Sequence, residues 1–181
     1  MRIETKYREG LKHLMKEKPL DEINVVMLCD KVKSNRQTFY YHYRDLSDVI
    51  ESMFLQERVG YGVRLYDFES IIKPLFSYIN SNFNFLYAVA NSFASDNLES
   101  FFYTHIIQKS GLLLKQVKSD EQFNQLDNLH VNRYVASLIS KELVFWILNK
   151  RKEKQTLLLK NFKVIWNYFT NIYPKEAKNT K

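Results

Sequence analysis

Residues 24–43 read Asn24-Val25-Val26-Met27-Leu28-Cys29-Asp30-Lys31-Val32-Lys33-Ser34-Asn35-Arg36-Gln37-Thr38-Phe39-Tyr40-Tyr41-His42-Tyr43, and their patterning decides the fold. Asn24 is suited to cap a helix over Val25–Lys31 that turns Val25, Leu28 and Cys29 inward. Ser34-Asn35 breaks that pattern, and Asn35 is suited to cap a second helix over Arg36–Tyr43. On this second helix Phe39 and Tyr43 lie four apart and face the core. Arg36, Gln37, Tyr40 and Tyr41 share the opposite, outward face. Two short capped helices joined by a three-residue turn have the layout of a helix-turn-helix, with the second helix as the reader. Its outward side chains match base edges and phosphates. Arg36 can fork onto guanine O6 and N7, and Gln37 can pair with adenine. Thr38 can bond a phosphate or touch a thymine methyl, and Tyr40 and His42 can donate to phosphate oxygens.

The flanking sequence extends the helical reading. Tyr7, Leu11, Leu14 and Met15 recur at helical spacing before Pro19, and Asp21–Asn24 forms a short connection. Arg44–Asp48 supplies the next break and cap, followed by a fourth helix expected over Asp48–Val63. Longer amphipathic helices are expected over Ser70–Asn82, Phe85–Phe93, Leu98–Val117, Leu126–Asn149 and Thr156–Tyr173. Polar breaks separate them at 82–84, 95–97, 118–122 and 150–154. The boundary between an N-terminal head, 1–46, and a C-terminal body, 47–181, is placed at the fourth helix. In the last two helices the apolar stripe is wide: Val131, Tyr134, Val135, Leu138, Ile139, Leu143, Phe145, Trp146 and Leu148 on one, and Leu158, Phe162, Ile165, Trp166, Phe169 and Tyr173 on the other. A helix with more than one apolar stripe needs two partners, and the economical second partner is another copy of the chain.

Composition agrees. Four Gly and three Pro in 181 residues leave little material for the tight turns of a sandwich or barrel, so the expected class is all-α. The single Cys29 excludes internal disulfides and multi-cysteine metal sites and fits a reducing compartment, with the cytoplasm expected. No stretch approaches the ~18 apolar residues of a membrane span. The formal charge of +7 permits an anionic partner without identifying one. Residues 141–181 carry 10 Lys/Arg against 3 Asp/Glu, so the basic excess is C-terminal, where a solvated helix end and tail explain it.

The run Asn35-Arg36-Gln37-Thr38-Phe39-Tyr40-Tyr41-His42-Tyr43-Arg44-Asp45, preceded by Val25–Lys31, resembles the DNA-binding head of the TetR family of bacterial transcription regulators. The Thr-Phe-Tyr-x-His-aromatic core and its spacing from the preceding helix carry the likeness, over residues 5–54. The resemblance implies DNA contacts at Arg36, Gln37, Thr38, Tyr40, Tyr41 and His42, with Asn24 at the cap position where the family usually has Thr. It also implies a homodimer and a divergent C-terminal body that binds a small effector. The aromatic middle, Asn82–Tyr87 and Leu98–Phe102, is similar to a subgroup that includes a coactivator of dihydroxyacetone kinase operons. Lys33 stands where the family usually has a turn glycine. Since Lys is strained at positive φ by about 1 kcal/mol, the turn is expected to be right-handed or bent differently. Ser34 replaces a usual hydrophobic plug, and Leu46 replaces a usual phosphate-touching Lys. Lys31, Lys33, Arg36 and Arg44 nevertheless surround the reader with positive charge.

Other features read plainly. His13, His105 and His130 are isolated from any metal-binding spacing, and Cys29 reads as a buried small hydrophobe. There is no phosphate-binding glycine loop, no dinucleotide fingerprint and no nucleophile elbow, so neither a cofactor nor an enzyme is expected. Aromatic residues make up 15% of the chain. Phe76, Phe83, Phe85, Tyr87, Phe101, Phe102 and Tyr103 are the candidates to line an effector pocket. The sequence thus points to a ligand-released repressor on a near-palindromic operator, or else to a coactivator that senses ligand through a protein partner.

Overall fold

The computed structural model describes residues 2–117 and 125–176; the expected break at 118–122, the Tyr173 side chain and the tail at 178–181 lie outside the described residues. The described residues form helices and no strand: α1 Ile3–Leu14, a 3-10 turn Leu20–Glu22, α2 Val25–Val32, α3 Arg36–His42, α4 Leu46–Phe54, α5 Glu69–Ser81, α6 Phe83–Ala90, α7 Ser95–Val117, α8 Gln125–Leu148 and α9 Gln155–Glu176. The all-α expectation holds. By packing, the chain divides into two compact units, one of residues 1–58 and 82–101, the other of residues 59–81 and 102–181.

The first unit is built on α1, whose buried residues Tyr7, Leu11 and Leu14 recur at helical spacing. Gly10 lets α2 approach closely: a Cβ there would lie 2.5 Å from Val32 Cγ1 and 3.2 Å from Leu28 Cδ1. Val49, Ile50 and Met53 of α4 are buried in the same unit. Phe54 stacks on Phe101 at 4.8 Å and meets Phe85 at 6.0 Å. Two polar ties reach the later segment: Phe93 N–H donates to Asp21 Oδ1 at 2.9 Å, and Ser47 Oγ donates to Asn97 Oδ1 at 2.7 Å.

In the second unit Ile71, Ile72, Leu75, Phe76 and Ile79 form the buried face of α5. Phe76 packs edge-on to Trp146 at 5.3 Å and stacks with Phe162 at 6.3 Å. The ammonium groups of Lys73 and Lys163 each lie 2.6 Å from the Glu69 carboxylate. Hydrogen bonds from Lys163 and then Lys73 hold that carboxyl at about 2. Buried Ser110 and Asn132 satisfy each other, Ser110 Oγ donating to Asn132 Oδ1, and Asn132 Nδ2 donates to the Ile107 carbonyl at 2.7 Å. Along α8, Val131, Val135, Ile139, Leu143 and Trp146 are buried, while Tyr134, Leu138, Leu148 and above all Phe145, 62% exposed, face out. On α9 Leu158 and Phe162 are buried, and Leu157, Val164 and Tyr168 are exposed. The wide apolar stripe therefore splits into a core face and an uncovered face.

The fourth helix departs most from expectation. It runs Leu46–Phe54 instead of Asp48–Val63, because its cap is Asp45, whose Oδ1 accepts from Asp48 N at 2.9 Å. It ends at Phe54, and further on Gly60 and Gly62 take φ of 62° and 74°, so a right-handed helix could not run unbroken to Val63. Several other ends shift by a few residues: α1 begins at Ile3, α6 at Phe83 and α7 at Ser95. The break at 150–154 is present, with Lys150 and Arg151 both left-handed at φ 54° and 57°.

Candidate nucleic-acid interface

Local chemistry sets the ends of both helices of the helix-turn-helix. Met27 N–H donates to Asn24 Oδ1 at 3.0 Å, and Thr38 N–H donates to Asn35 Oδ1 at 2.8 Å. Each asparagine satisfies an amide that its helix leaves open. Residues 33–35 are the turn. Lys33 adopts φ 54° and ψ 54°, and this left-handed geometry overturns the expected right-handed or differently bent turn. The reason is the closing bonds, Lys33 N to the Asp30 carbonyl at 3.2 Å and Ser34 N to the Cys29 carbonyl at 2.9 Å. A chain reversal of this kind needs one left-handed residue, whatever its side chain.

Three rings clamp α3 from within. Phe39 is fully buried, and Tyr7 meets it edge-on at 5.3 Å and meets buried Tyr43 at 6.0 Å. The Tyr7 hydroxyl pairs with Ser34 Oγ at 2.6 Å, so the residue at the usual plug position ties the turn to α1. Burial pushes the Tyr7 phenol above its ordinary value. With the inner face occupied, Arg36, Gln37, Tyr40 and Tyr41 are exposed, Tyr41 at 85%, and Thr38 and His42 are half-buried. Asn24 and Lys33 are exposed as well.

The surrounding charges are not equally available. Lys31 Nζ donates to Glu17 Oε1 at 3.2 Å. Arg44 grips Asp48 through Nε at 2.8 Å and Nη2 at 2.5 Å, which holds the Asp48 carboxyl below its ordinary value. Of the four cations expected around the reader, only Lys33 and Arg36 make no ion pair among the described residues. His42 Nδ1 lies 3.2 Å from Glu4 Oε1 of α1, a neighbour the local sequence gives no hint of. Leu46, at the usual Lys position, is buried as the first residue of α4.

Four of the seven aromatic pocket candidates, Phe83, Phe85, Tyr87 and Phe101, belong to the first unit, and Phe76, Phe102 and Tyr103 belong to the second. Phe85 and Phe101 meet around Phe54 in the first unit, where Phe83 also tilts against Tyr87 at 5.7 Å. Phe76 and Phe102 are fully buried in the second unit, and Tyr103 is half-buried there. The second unit also holds a cleft of about 340 Å³, whose walls include Tyr66, Phe68, Leu113, Lys163, Trp166 and Thr170. Phe68 stacks on Trp166 at 4.8 Å. None of the seven candidates lines this cleft. The sequence does not mark this aromatic wall, because Phe68 stands beside a helix start, capped where Asp67 Oδ1 accepts from Ser70 N at 2.9 Å, and Trp166 reads as part of the C-terminal stripe.

Cys29 is buried, and that burial raises its thiol above the ordinary value. His13 pairs with Glu17 at 3.0 Å, and His130 stacks near Tyr134 at 6.4 Å. His105 is held down to about 4, chiefly by burial and then by Lys109. Among the described residues no three His, Cys, Asp or Glu gather as a metal site, and no helix is long and apolar enough to cross a membrane.

Residues 66–168 match the TetR C-terminal family described as transcriptional regulator C-terminal region. No curated protein sequence matches the chain. Among solved structures, the dihydroxyacetone kinase operon activator DhaS superposes with a TM-score of 0.58 over 92% of this chain and 93% of its own, at 20% identity. That likeness is one of fold.

Proposed function

Because the chain belongs to the TetR family of transcriptional regulators, we propose that it binds a near-palindromic operator as a homodimer and releases it when a small molecule enters the body. Residues 1–46 act as the DNA-reading head and residues 47–181 as the sensing and dimerisation body. The observation that carries the reading is the solvent-facing set Arg36, Gln37, Tyr40 and Tyr41 on a helix whose other side is locked by Phe39, Tyr43 and Tyr7. Arg36 and Gln37 read base edges. Thr38, Tyr40, Tyr41 and His42 hold phosphates and neighbouring groove atoms, and Asn24 and Lys33 approach the backbone of the duplex. The uncovered apolar faces of α8 and α9 pair two copies, which sets the spacing of the heads on successive major grooves. An effector shifts that spacing only by its differential affinity for the two states. The family match and the absence of catalytic motifs in the sequence favour a regulator over an enzyme, working in the bacterial cytoplasm.

Arg36→Ala is the direct test: it is expected to weaken operator binding by about 1–3 kcal/mol and to relax preference at one base pair. An unchanged titration at fixed salt defeats the base-reading role. A second reading is favoured by the fact that none of the seven aromatics lines the cleft and by the fold likeness to DhaS, an operon activator. In it, the chain is a coactivator whose ligand is sensed by a partner protein. Retardation of its own upstream DNA that a small molecule reverses supports the autonomous sensor. Retardation that responds only after a second protein is added supports the coactivator.

A further inference from the structure

Two side chains of α7 lie in the second unit without the company their chemistry demands. Lys109 is partly buried, and burial lowers its ammonium below the ordinary value. Its Nζ donates to the Gly60 carbonyl at 3.1 Å, and no carboxylate among the described residues pairs with it. An ammonium has three donors, so this one keeps two in reserve. One turn earlier, the His105 ring bonds the Ile71 backbone, yet its Nε2 is buried with no hydrogen-bond partner among the described residues. With Nδ1 donating to the Ile71 carbonyl, Nε2 presents a lone pair. Beside Lys109 the imidazole stays neutral, so what it lacks is a donor. A buried unsatisfied acceptor costs about 1–3 kcal/mol and calls for an explanation. The Gly60–Gly62 turn lies against Lys109. Gly60 sits against Pro74 and Lys109 so closely that a Cβ would lie 3.0 Å from Lys109 Nζ, whereas a Cβ at Gly62 would meet open space.

We propose that His105 and Lys109 form a binding site for a small oxyanion that also carries an O–H, a hydroxycarboxylate or a phosphate, and that this anion is the effector. The oxyanion takes the spare donors of Lys109 while its hydroxyl donates to His105 Nε2. The effector assignment rests on the regulator reading above; the binding site does not.

The test uses full-length protein labelled with ¹⁵N-histidine, titrated near neutral pH with glycolate, inorganic phosphate, acetate and sodium chloride. Glycolate or phosphate, whichever is the source, is expected to move the His105 Nε2 resonance saturably. Acetate, which lacks the hydroxyl, should bind about tenfold more weakly. Lys109→Met should abolish saturation while leaving the thermal midpoint unchanged or higher, and Lys109→Arg should retain it. Equal responses to all four salts, or an undiminished response in a folded Lys109→Met variant, overturn the site. Operator retardation separates the two claims. If the anion binds but leaves retardation unchanged, the effector role fails and the site stands. If Lys109→Met still retards the operator but has lost release by the anion, both stand.

Discussion

Lys33 occupies a backbone conformation that glycine reaches without strain, and Lys33→Gly is expected to raise stability by up to ~1 kcal/mol, read as a shift in urea midpoint at constant slope. His105 acts on the acid limb. Its ring, ordinarily near 6.5, is held to about 4 in the fold, so the unfolded chain binds more protons between those values. Its contribution is complete above pH 6.5 and is lost as pH falls toward 4, at most about 3 kcal/mol. Replacing it with phenylalanine should flatten stability against pH across that window, and an unchanged slope there would show that other groups set it. Sequence resolved the residues whose work is local: Asn24 and Asn35 cap amides three positions on, and Phe39 and Tyr43 share a helix face. It did not disclose Tyr7 with Ser34 or Glu4 with His42, since those pairs exist only after α1 folds back on the turn.

Among the helices, α1 and α2 pack tightly at Gly10. Gly10→Ala places a methyl group 2.5 Å from Val32 Cγ1. Overpacking of about 1–3 kcal/mol should exceed the ~1 kcal/mol that alanine contributes to helix propensity. Thermal melting is expected to fall for the single variant and to recover in Gly10→Ala/Val32→Ala. Helix existence was readable throughout because amphipathic periodicity accumulates over many residues. The end of α4 was not, because Leu55 and Val63 continue an apolar rhythm through a segment that lies beyond the helix and holds two left-handed glycines, Gly60 and Gly62. The aromatic pocket candidates suffered a related ambiguity: a ring at helical spacing reads the same whether it fills a core, as Phe76 does, or borders a cleft, as Trp166 does.

For the whole protein, the uncovered face of α8 and α9 and the charges around the reader give separate expectations. Phe145→Lys should convert a dimer to monomers in sedimentation and weaken operator binding with it, because two half-sites are then no longer held together. A dimer that survives the change would place the pairing surface elsewhere. With Lys31 held by Glu17, Glu17→Gln should free a cation near the duplex. Operator affinity is expected to rise at low salt, with the log–log salt slope steeper by about 0.9 for each head.

Trp146 and Trp166, the only tryptophans of the chain, both belong to the second unit, one buried in its core and the other forming a wall of the cleft. The helix-turn-helix, by contrast, carries only tyrosine and phenylalanine chromophores. Red-edge excitation therefore illuminates the second unit while leaving the helix-turn-helix dark, and quenching by an added compound would reveal occupancy beside Trp166 without a label. A tyrosine signal that changes while indole emission stays still would mark an event confined to the reader.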